Sequence, residues 1–374
     1  MSISMIYLKP TNFCNIGCDH CYIPIEMRDR KHLMSDEVLV HAAQTFGEMK
    51  KFYGQENVSI LWNGGEPLSV SRSWYENASE ILDRHLGPHT QSMQTSLIPL
   101  RREFLPYIHT RMCDSIRVGF NFNSRKINGS WKSYESLFME KVTLVREEGI
   151  DIDLAITVSQ QEIGHQDAIV QWFSLNGFHK FRSERYTEIA VNDPNYVGNR
   201  EISDWNIGLF DVLMTRIRDG KQPIAEYNIT AGIKVVLSGE RSHRWGPTCT
   251  SDFFVVEPNG DVFNCTDKVG KERPMGHVSM GWEGLLTSPE RLRMIQEHSI
   301  DGMESYCLEC EYFEVCRGGC PILPRSRSTD QSDCAGNKHF LEYIRNVADT
   351  QEGMDLIQVY LKHAGQEETA VTVS

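Results

Sequence analysis

Pro10-Thr11-Asn12-Phe13-Cys14-Asn15-Ile16-Gly17-Cys18-Asp19-His20-Cys21-Tyr22 places three thiols within eight residues, directly after a short β-type run at Ser4–Leu8. A loop after the first strand of an α/β sheet lies at the C-terminal strand ends, where such sheets keep their chemistry. Three thiolates can wrap one face of a [4Fe–4S] cubane, which takes four ligands, and leave one iron open. A zinc site completed by His20 or by a remote residue is the competing reading.

Outward from this loop, short β-type runs alternate with amphipathic helical patterns. The runs are Ser4–Leu8, Val58–Trp62, Ser92–Thr95, Ser115–Phe122, Ile152–Val158 and Phe178–Tyr186. A helix is expected over Ser35–Phe52, with Ser35 as N-cap and Asp36 and Glu37 in its first turn. Six β-then-α units argue for a parallel sheet with helices outside, short of the eight of a closed barrel. The expected fold class is α/β, a partial (β/α)6 TIM-like barrel. A further helix is expected around Ser203–Arg218, and Gly220–Pro223 reads as linker. Beyond about residue 240, Phe253–Phe263 reads as a β-hairpin, with Asn259-Gly260 supplying the positive φ angles of its turn. Short elements rich in Cys, Gly and Pro follow, and such a region gains order from metal–thiolate bonds. A helix is expected from about Lys338, and then a frayed polar tail. The expected division is 1–225 for the barrel, 226–240 for a linker, 241–340 for a cysteine-rich domain and 341–374 for a helix and tail.

The net charge of −13 over 374 residues argues against a nucleic-acid partner held through phosphates. The start is too soon interrupted by charge for a signal peptide, and no run of about 18 apolar residues is present to span a bilayer. A cytoplasmic protein with no membrane partner is expected. The 11 cysteines are clustered: three in the first loop, seven between Cys249 and Cys334, and Cys113 alone. Without a secretion signal, such clusters mean metal ligation or redox chemistry rather than disulfides. Cys113 reads as a buried small hydrophobe.

The C-x3-C-x2-C spacing of Cys14, Cys18 and Cys21 resembles the signature of the radical S-adenosylmethionine (SAM) superfamily. That family usually has an aromatic residue before the third cysteine, where this chain has His20, a departure that bears on adenine packing. Trp62-Asn-Gly64-Gly65-Glu66-Pro67 ends the second β-run and looks like the family's GGEP motif, which hydrogen-bonds the SAM amino group. Thr95 and Ser96 fall where relatives have a Thr-Asn pair near the ribose. Asn121 and Asn123 lie in Asn-Phe-Asn-Ser, where many relatives read Ser-Leu-Asp-Gly, and either SAM contacts or strand-end caps are open to them. The resemblance implies that the reduced cubane cleaves SAM to methionine and a 5′-deoxyadenosyl radical. That radical then takes a hydrogen atom from an unactivated C–H bond.

The later cysteines resemble a second family pattern. Cys249 and Cys265 flank the hairpin, Cys307-x2-Cys310-x5-Cys316-x3-Cys320 follows, and Cys334 completes the seven. This resembles the SPASM domain of radical SAM enzymes that modify peptides and proteins. It implies a first auxiliary [4Fe–4S] cluster on Cys249, Cys265 and Cys320, and a second on Cys307, Cys310, Cys316 and Cys334. Three [4Fe–4S] clusters and SAM are then the expected cofactors. His243 stands where some relatives carry a further cysteine and is a candidate fourth ligand of the first auxiliary cluster. Two structural zinc sites are the competing reading. Asp267, two residues past Cys265, is the candidate base, although sulfatase-maturing relatives place the aspartate directly after that cysteine.

Among peptide-modifying relatives, the opening Pro10–Pro24 looks most like maturases of ribosomal peptides that form cyclophanes, joining an aryl carbon to a side-chain β-carbon. The implied partners are a precursor peptide and a flavodoxin or ferredoxin electron donor, with Arg317, Arg325 and Arg327 as a candidate docking patch. No leader-binding domain is expected before Cys14, and the precursor is expected to bind the barrel, the acidic surface or a separate protein. The alternatives are an anaerobic sulfatase-type maturase that forms formylglycine, a small-molecule radical SAM dehydrogenase, and a zinc-organised scaffold without activity.

Overall fold

The computed structural model describes residues 2–28, 32–186, 193–240, 252–297, 305–320, 334 and 338–372. Its strands are β1 (Met5–Leu8), β2 (Gly17–Cys18), β3 (Ser59–Trp62), β4 (Thr90–Thr95), β5 (Ser115–Gly119) and β6 (Arg125–Lys126). They continue with β7 (Asp151–Val158), β8 (Lys180–Arg185), β9 (Ala225–Glu226), β10 (Phe253–Val256), β11 (Asp261–Phe263) and β12 (Gly276–His277). The chain forms two compact units, Met1–Ile152 with Thr248–Gly302, and Asp153–Pro247 with Met303–Ser374. The α/β class expected from the sequence is what the chain adopts. No helix among the described residues is long and apolar enough to cross a membrane.

In the first unit β1 is flanked by β10 and β3, and β3-β4-β5 continue the sheet, all parallel. The hairpin β10-β11 and then β12 close its other edge in antiparallel fashion. In β1 the residues alternate, with Ile6 and Leu8 buried and Met5 and Tyr7 half-buried. The helix Asp36–Phe52 forms as expected: Ser35 Oγ accepts from Val38 N at 3.2 Å, acids occupy the first turn and Lys50 and Lys51 the last. Its apolar face buries Leu39, Ala42, Phe46 and Met49, and each large apolar side chain so buried contributes about 1.5–3 kcal/mol.

The two units cut across the division drawn from the sequence because β10 joins β1 in one sheet. The hairpin turn also differs. Only Gly260 has a positive φ, at 91°, and Glu257 N pairs with Asp261 O across a longer loop than a two-residue Asn-Gly turn. β5 stops at Gly119 rather than Phe122, short of Asn123, which sits at φ 56°. Cys113 is exposed, at φ 50° in the turn before β5, and is no core residue.

In the second unit β7, β8 and β9 run parallel. Residues 226–240, expected as linker, hold the helix Tyr227–Ser238, which buries Ile229, Ile233 and Val235. Glu226 caps it, accepting from Ile229 N at 2.7 Å. The C-terminal part is two helices, Lys338–Ala348 and Gln351–Thr372, rather than a helix and a frayed tail. Tyr360 anchors the second: its hydroxyl accepts from Glu226 N at 2.8 Å and donates to Glu226 O at 3.0 Å.

Candidate functional site

The cysteine loop of the first unit leaves the C-terminal end of β1 and is pinned along its length. Cys14 N donates to Arg28 O at 3.3 Å, and Cys21 N to Cys18 O at 3.3 Å. Between them β2 pairs with β6, setting Cys18 opposite Arg125. Asp19 N donates to Ser124 O at 2.9 Å, and the Asp19 carboxylate meets Lys126 Nζ at 2.8 Å. The loop is thus stitched to the segment that follows β5.

Burial, then the nearby Glu66 carboxylate, and then Cys18 and Cys21 push the Cys14 thiol up to about 12. Burial raises Cys18 as well, opposed by Arg125 and Arg28. Three thiols close enough to disfavour one another's ionisation, with cationic groups beside them, suit an iron–sulfur cluster, whose positive metal takes the thiolate form. Among the described residues no three His, Cys, Asp or Glu side chains are gathered as ligands of one ion. A multi-iron cluster, with each thiolate on a different iron, asks for no such tight group.

The turn after β3 packs directly on this loop. Asn63 N donates to Leu8 O at 3.1 Å, Gly65 N to Thr11 O at 3.0 Å and Glu66 N to Phe13 O at 2.8 Å. A Cβ on Gly65 would stand 2.2 Å from Phe13 O, and one on Gly64, at φ 134°, 2.4 Å from Thr11 O. The glycines are needed because two backbones touch. Pro67 opens the short 3-10 turn Pro67–Ser69, where its missing N–H costs nothing.

Glu66 is 1% exposed. Its Oε1 accepts from Thr95 Oγ1 at 2.5 Å and Leu68 N at 3.0 Å, and its Oε2 from Ser96 N at 2.9 Å and from Ser96 Oγ. Thr95 and Ser96, expected near a ribose, thus spend their hydroxyls on Glu66, tying the β4 end to the β3 turn. His20 is buried with Nδ1 3.0 Å from Ser124 Oγ, and burial, with Arg125 beside it, pulls its pKa down to about 3, so the ring is neutral. Asn121 is buried and Asn123 holds the left-handed turn.

Arg125 carries no motif of its own and is not legible in the sequence. Its buried guanidinium lies over Gly119, where a Cβ would meet Nη2 at 2.4 Å. Burial works against its charge, but Cys18, Tyr134, Cys14 and Glu66 outweigh it and hold the pKa above the ordinary value. The only signal available was a basic residue directly after Asn121–Ser124.

Cys265 begins the short 3-10 turn Thr266–Lys268, which brings Asp267 Oδ2 to 3.7 Å from Cys265 Sγ. In the second unit, burial and then Cys334, Cys307 and Cys310 push Cys316 up to about 12, so these four thiols share one neighbourhood. Lys338 N donates to Cys334 Sγ at 3.2 Å, as a thiolate ligand's surroundings require. Cys320 is half-buried in the same unit. His243, Cys249, Arg325 and Arg327 lie outside the described residues.

The fold is shared with AdoMet-binding proteins of known structure. That of anSMEcpe with bound AdoMet matches with TM-score 0.76 at 19% identity, covering 95% of this chain and 99% of that one. The same protein with AdoMet and a Cp18Cys peptide matches at 0.75. Streptococcus suis SuiB bound to its precursor peptide SuiA matches at 0.60 with 14% identity, over 87% of this chain and 75% of that one. In sequence, the chain is similar to the cysteine-type anaerobic sulfatase-maturating enzyme of Clostridium novyi, 18% identical over 91% of this chain and 95% of the relative. No protein-family model matches.

Proposed function

We propose that the chain is a radical SAM enzyme that modifies a peptide, and that it oxidises a cysteine or serine side chain to formylglycine. The observation that carries the reading is the convergence of Cys14, Cys18, Cys21 and the Gly64–Glu66 turn at the ends of β1 and β3. The relatives support the finer part, since the sulfatase-maturating enzymes align over nearly their whole length. Formylglycine formation therefore has more behind it than the cyclophane chemistry suggested by the opening motif.

Cys14, Cys18 and Cys21 would hold a cluster with one iron free for SAM, which together would supply the hydrogen-abstracting chemistry. The chain's own residues do the rest. The Gly64–Glu66 turn and the His20–Ser124 pair would hold the loop at the SAM site, Asn121 and Asn123 would supply polar contacts there, and Thr95 and Ser96 would act through Glu66, which takes their hydroxyls. Asp267 accepts the proton that leaves the substrate's thiol or hydroxyl. The one-residue shift from the relatives' aspartate does not part it from Cys265, because the intervening turn returns the carboxylate to 3.7 Å. Cys307, Cys310, Cys316 and Cys334 would hold a second cluster, and Cys249, Cys265 and Cys320, with His243, a third. The electron that cleaves SAM would come from a flavodoxin or ferredoxin, and the auxiliary clusters would supply the acceptor for the electron left on the substrate once a hydrogen atom and a proton are gone. A serine would then be the aldehyde directly, and a cysteine a thioaldehyde that water converts to it with loss of hydrogen sulfide.

The likeness to SuiB, which is seen with a precursor peptide, supports a second reading, an oxidative cross-link within a ribosomal peptide. Reconstituted enzyme given SAM, a reductant and a cysteine- or serine-containing peptide separates the two. Formylglycine formation yields an aldehyde that reacts with a hydrazide, whereas a cross-link loses two hydrogens and gives none. Asp267→Asn is expected to cleave SAM without accumulating product. Full product formation by that variant would remove Asp267 from the role.

A further inference from the structure

Lys9 and Glu257 follow directly on β1 and β10, parallel neighbours whose register pairs Leu8 with Val256. Their side chains are 0% and 4% exposed, and Lys9 Nζ lies 2.6 Å from Glu257 Oε1. The second carboxylate oxygen accepts from Asn12 Nδ2 at 2.8 Å. The ammonium also stands 5.1 Å from the centre of the Tyr22 ring. Lys9 and Asn12 enter the cysteine loop, Tyr22 leaves it, and Glu257 opens the hairpin turn that leads to Cys265. On the far side of the loop the contact is apolar. A Cβ on Gly270 would meet Pro24 at 2.9 Å, and Met27 packs against Val255, Phe263 and Val269.

The backbone ladder already joins β1 to β10, so an apolar pair would have served cohesion at least as well. Desolvating two charges commonly offsets their attraction, and a buried pair is weak evidence of added stability. In some proteins buried polar and ionic contacts fix a register, and here the Asn12–Glu257 hydrogen bond supplies the direction and the Lys9 ion pair the charge. Glu257 reaches Lys9 with one oxygen and Asn12 with the other, and so fixes both the strand end and the first turn of the loop.

We propose that Glu257 is a positioning residue that, through Lys9 and Asn12, sets the Cys14–Cys21 loop at a fixed distance from the Cys265–Asp267 hairpin. This rests on the radical SAM reading. Hydrogen abstraction belongs to the loop and proton removal to Asp267, so their spacing decides whether each SAM cleaved gives product.

The test compares wild type, Glu257→Gln and Lys9→Met/Glu257→Met, each reconstituted with iron and sulfide and supplied with SAM, a reductant and a cysteine-containing peptide. Glu257→Gln is expected to release at least about tenfold more 5′-deoxyadenosine per modified peptide, since an ångström of misplacement can cost about a hundredfold. Its amide exchange is expected to quicken at both 10–22 and 257–270. The double variant, with no unpaired buried charge and only the Asn12 bond lost, should melt above Glu257→Gln yet keep the raised ratio. An unchanged ratio in folded Glu257→Gln would overturn the proposal. So would a double variant that restores ratio and melting temperature together, or exchange that quickens in one segment alone. A wild type that cleaves no SAM would instead remove the radical SAM reading, and the exchange data would still report whether Glu257 ties the two segments.

Discussion

Glu66→Gln gives the sharpest structural perturbation, because it keeps the shape of a buried side chain and changes only its acceptors. Each carboxylate oxygen receives two donors: Leu68 N and Thr95 Oγ1 on one, Ser96 N and Ser96 Oγ on the other. An amide turns one oxygen into NH₂, which then faces two donors head-on. The hydroxyl of that pair can rotate and accept instead, but the backbone N–H cannot. One buried N–H left unpaired costs about 1–3 kcal/mol, and the surviving bonds, no longer charge-assisted, each lose about 1 kcal/mol. The sum is about 3–5 kcal/mol, a large share of the roughly 5–15 kcal/mol by which domains are stable. Urea unfolding of the metal-free chain, followed by tryptophan fluorescence, measures it. The iron content after reconstitution should fall in parallel, because the same turn packs on the loop of Cys14. A loss below about 1 kcal/mol would refute the idea that these four contacts hold the β3 turn to β4.

Three further outcomes follow from the site. Gly65→Ala should destabilise the metal-free chain by about 1–3 kcal/mol, as forced overpacking does, since its Cβ would stand 2.2 Å from Phe13 O; a wild-type urea midpoint would contradict this. His20, neutral in the fold with a pKa of about 3 against 6.5 unfolded, makes the unfolded chain bind the extra proton. Stability of the metal-free chain should therefore fall as pH drops below about 6.5, by no more than about 5 kcal/mol at the limit, and His20→Phe should flatten that slope. Cys14 and Cys316 have the opposite sign: with folded pKa values of about 12, the fold holds protons that the unfolded chain releases. The metal-free protein should weaken as pH rises from the ordinary thiol range toward 12, seen as a falling melting temperature, while cluster-loaded protein should not.

Local signals in the sequence told well where they were local. Ser35 with Asp36 and Glu37 announced a helix start, and the alternating runs announced β1, β3, β4, β5, β7 and β8 to within a few residues. The three-cysteine loop and the Gly64–Gly65 turn were legible because thiol spacing and paired glycines are rare signals. Long-range pairing was not. Nothing near Phe253 says that β10 lies beside β1, about 250 residues earlier, so in sequence the hairpin reads as part of a separate domain. The helix Tyr227–Ser238 is hidden in the sequence because Gly220–Pro223 reads as a breaker just before it, and the Ile229/Ile233 spacing that buries its face is a short signal. Arg125, Lys9 and Glu257 gain meaning only from what surrounds them once folded, since a charged residue in sequence reads as surface.

The Cys14→Ala/Cys18→Ala/Cys21→Ala variant tests the central claim most directly, measured beside wild type for iron and for 5′-deoxyadenosine after anaerobic reconstitution and reduction with SAM. The expected result is 5′-deoxyadenosine from wild type, none from the variant, and iron retained by the variant at the Cys307–Cys334 group. Wild-type protein that fills its iron sites yet leaves SAM intact, or a variant that still cleaves it, would contradict the account.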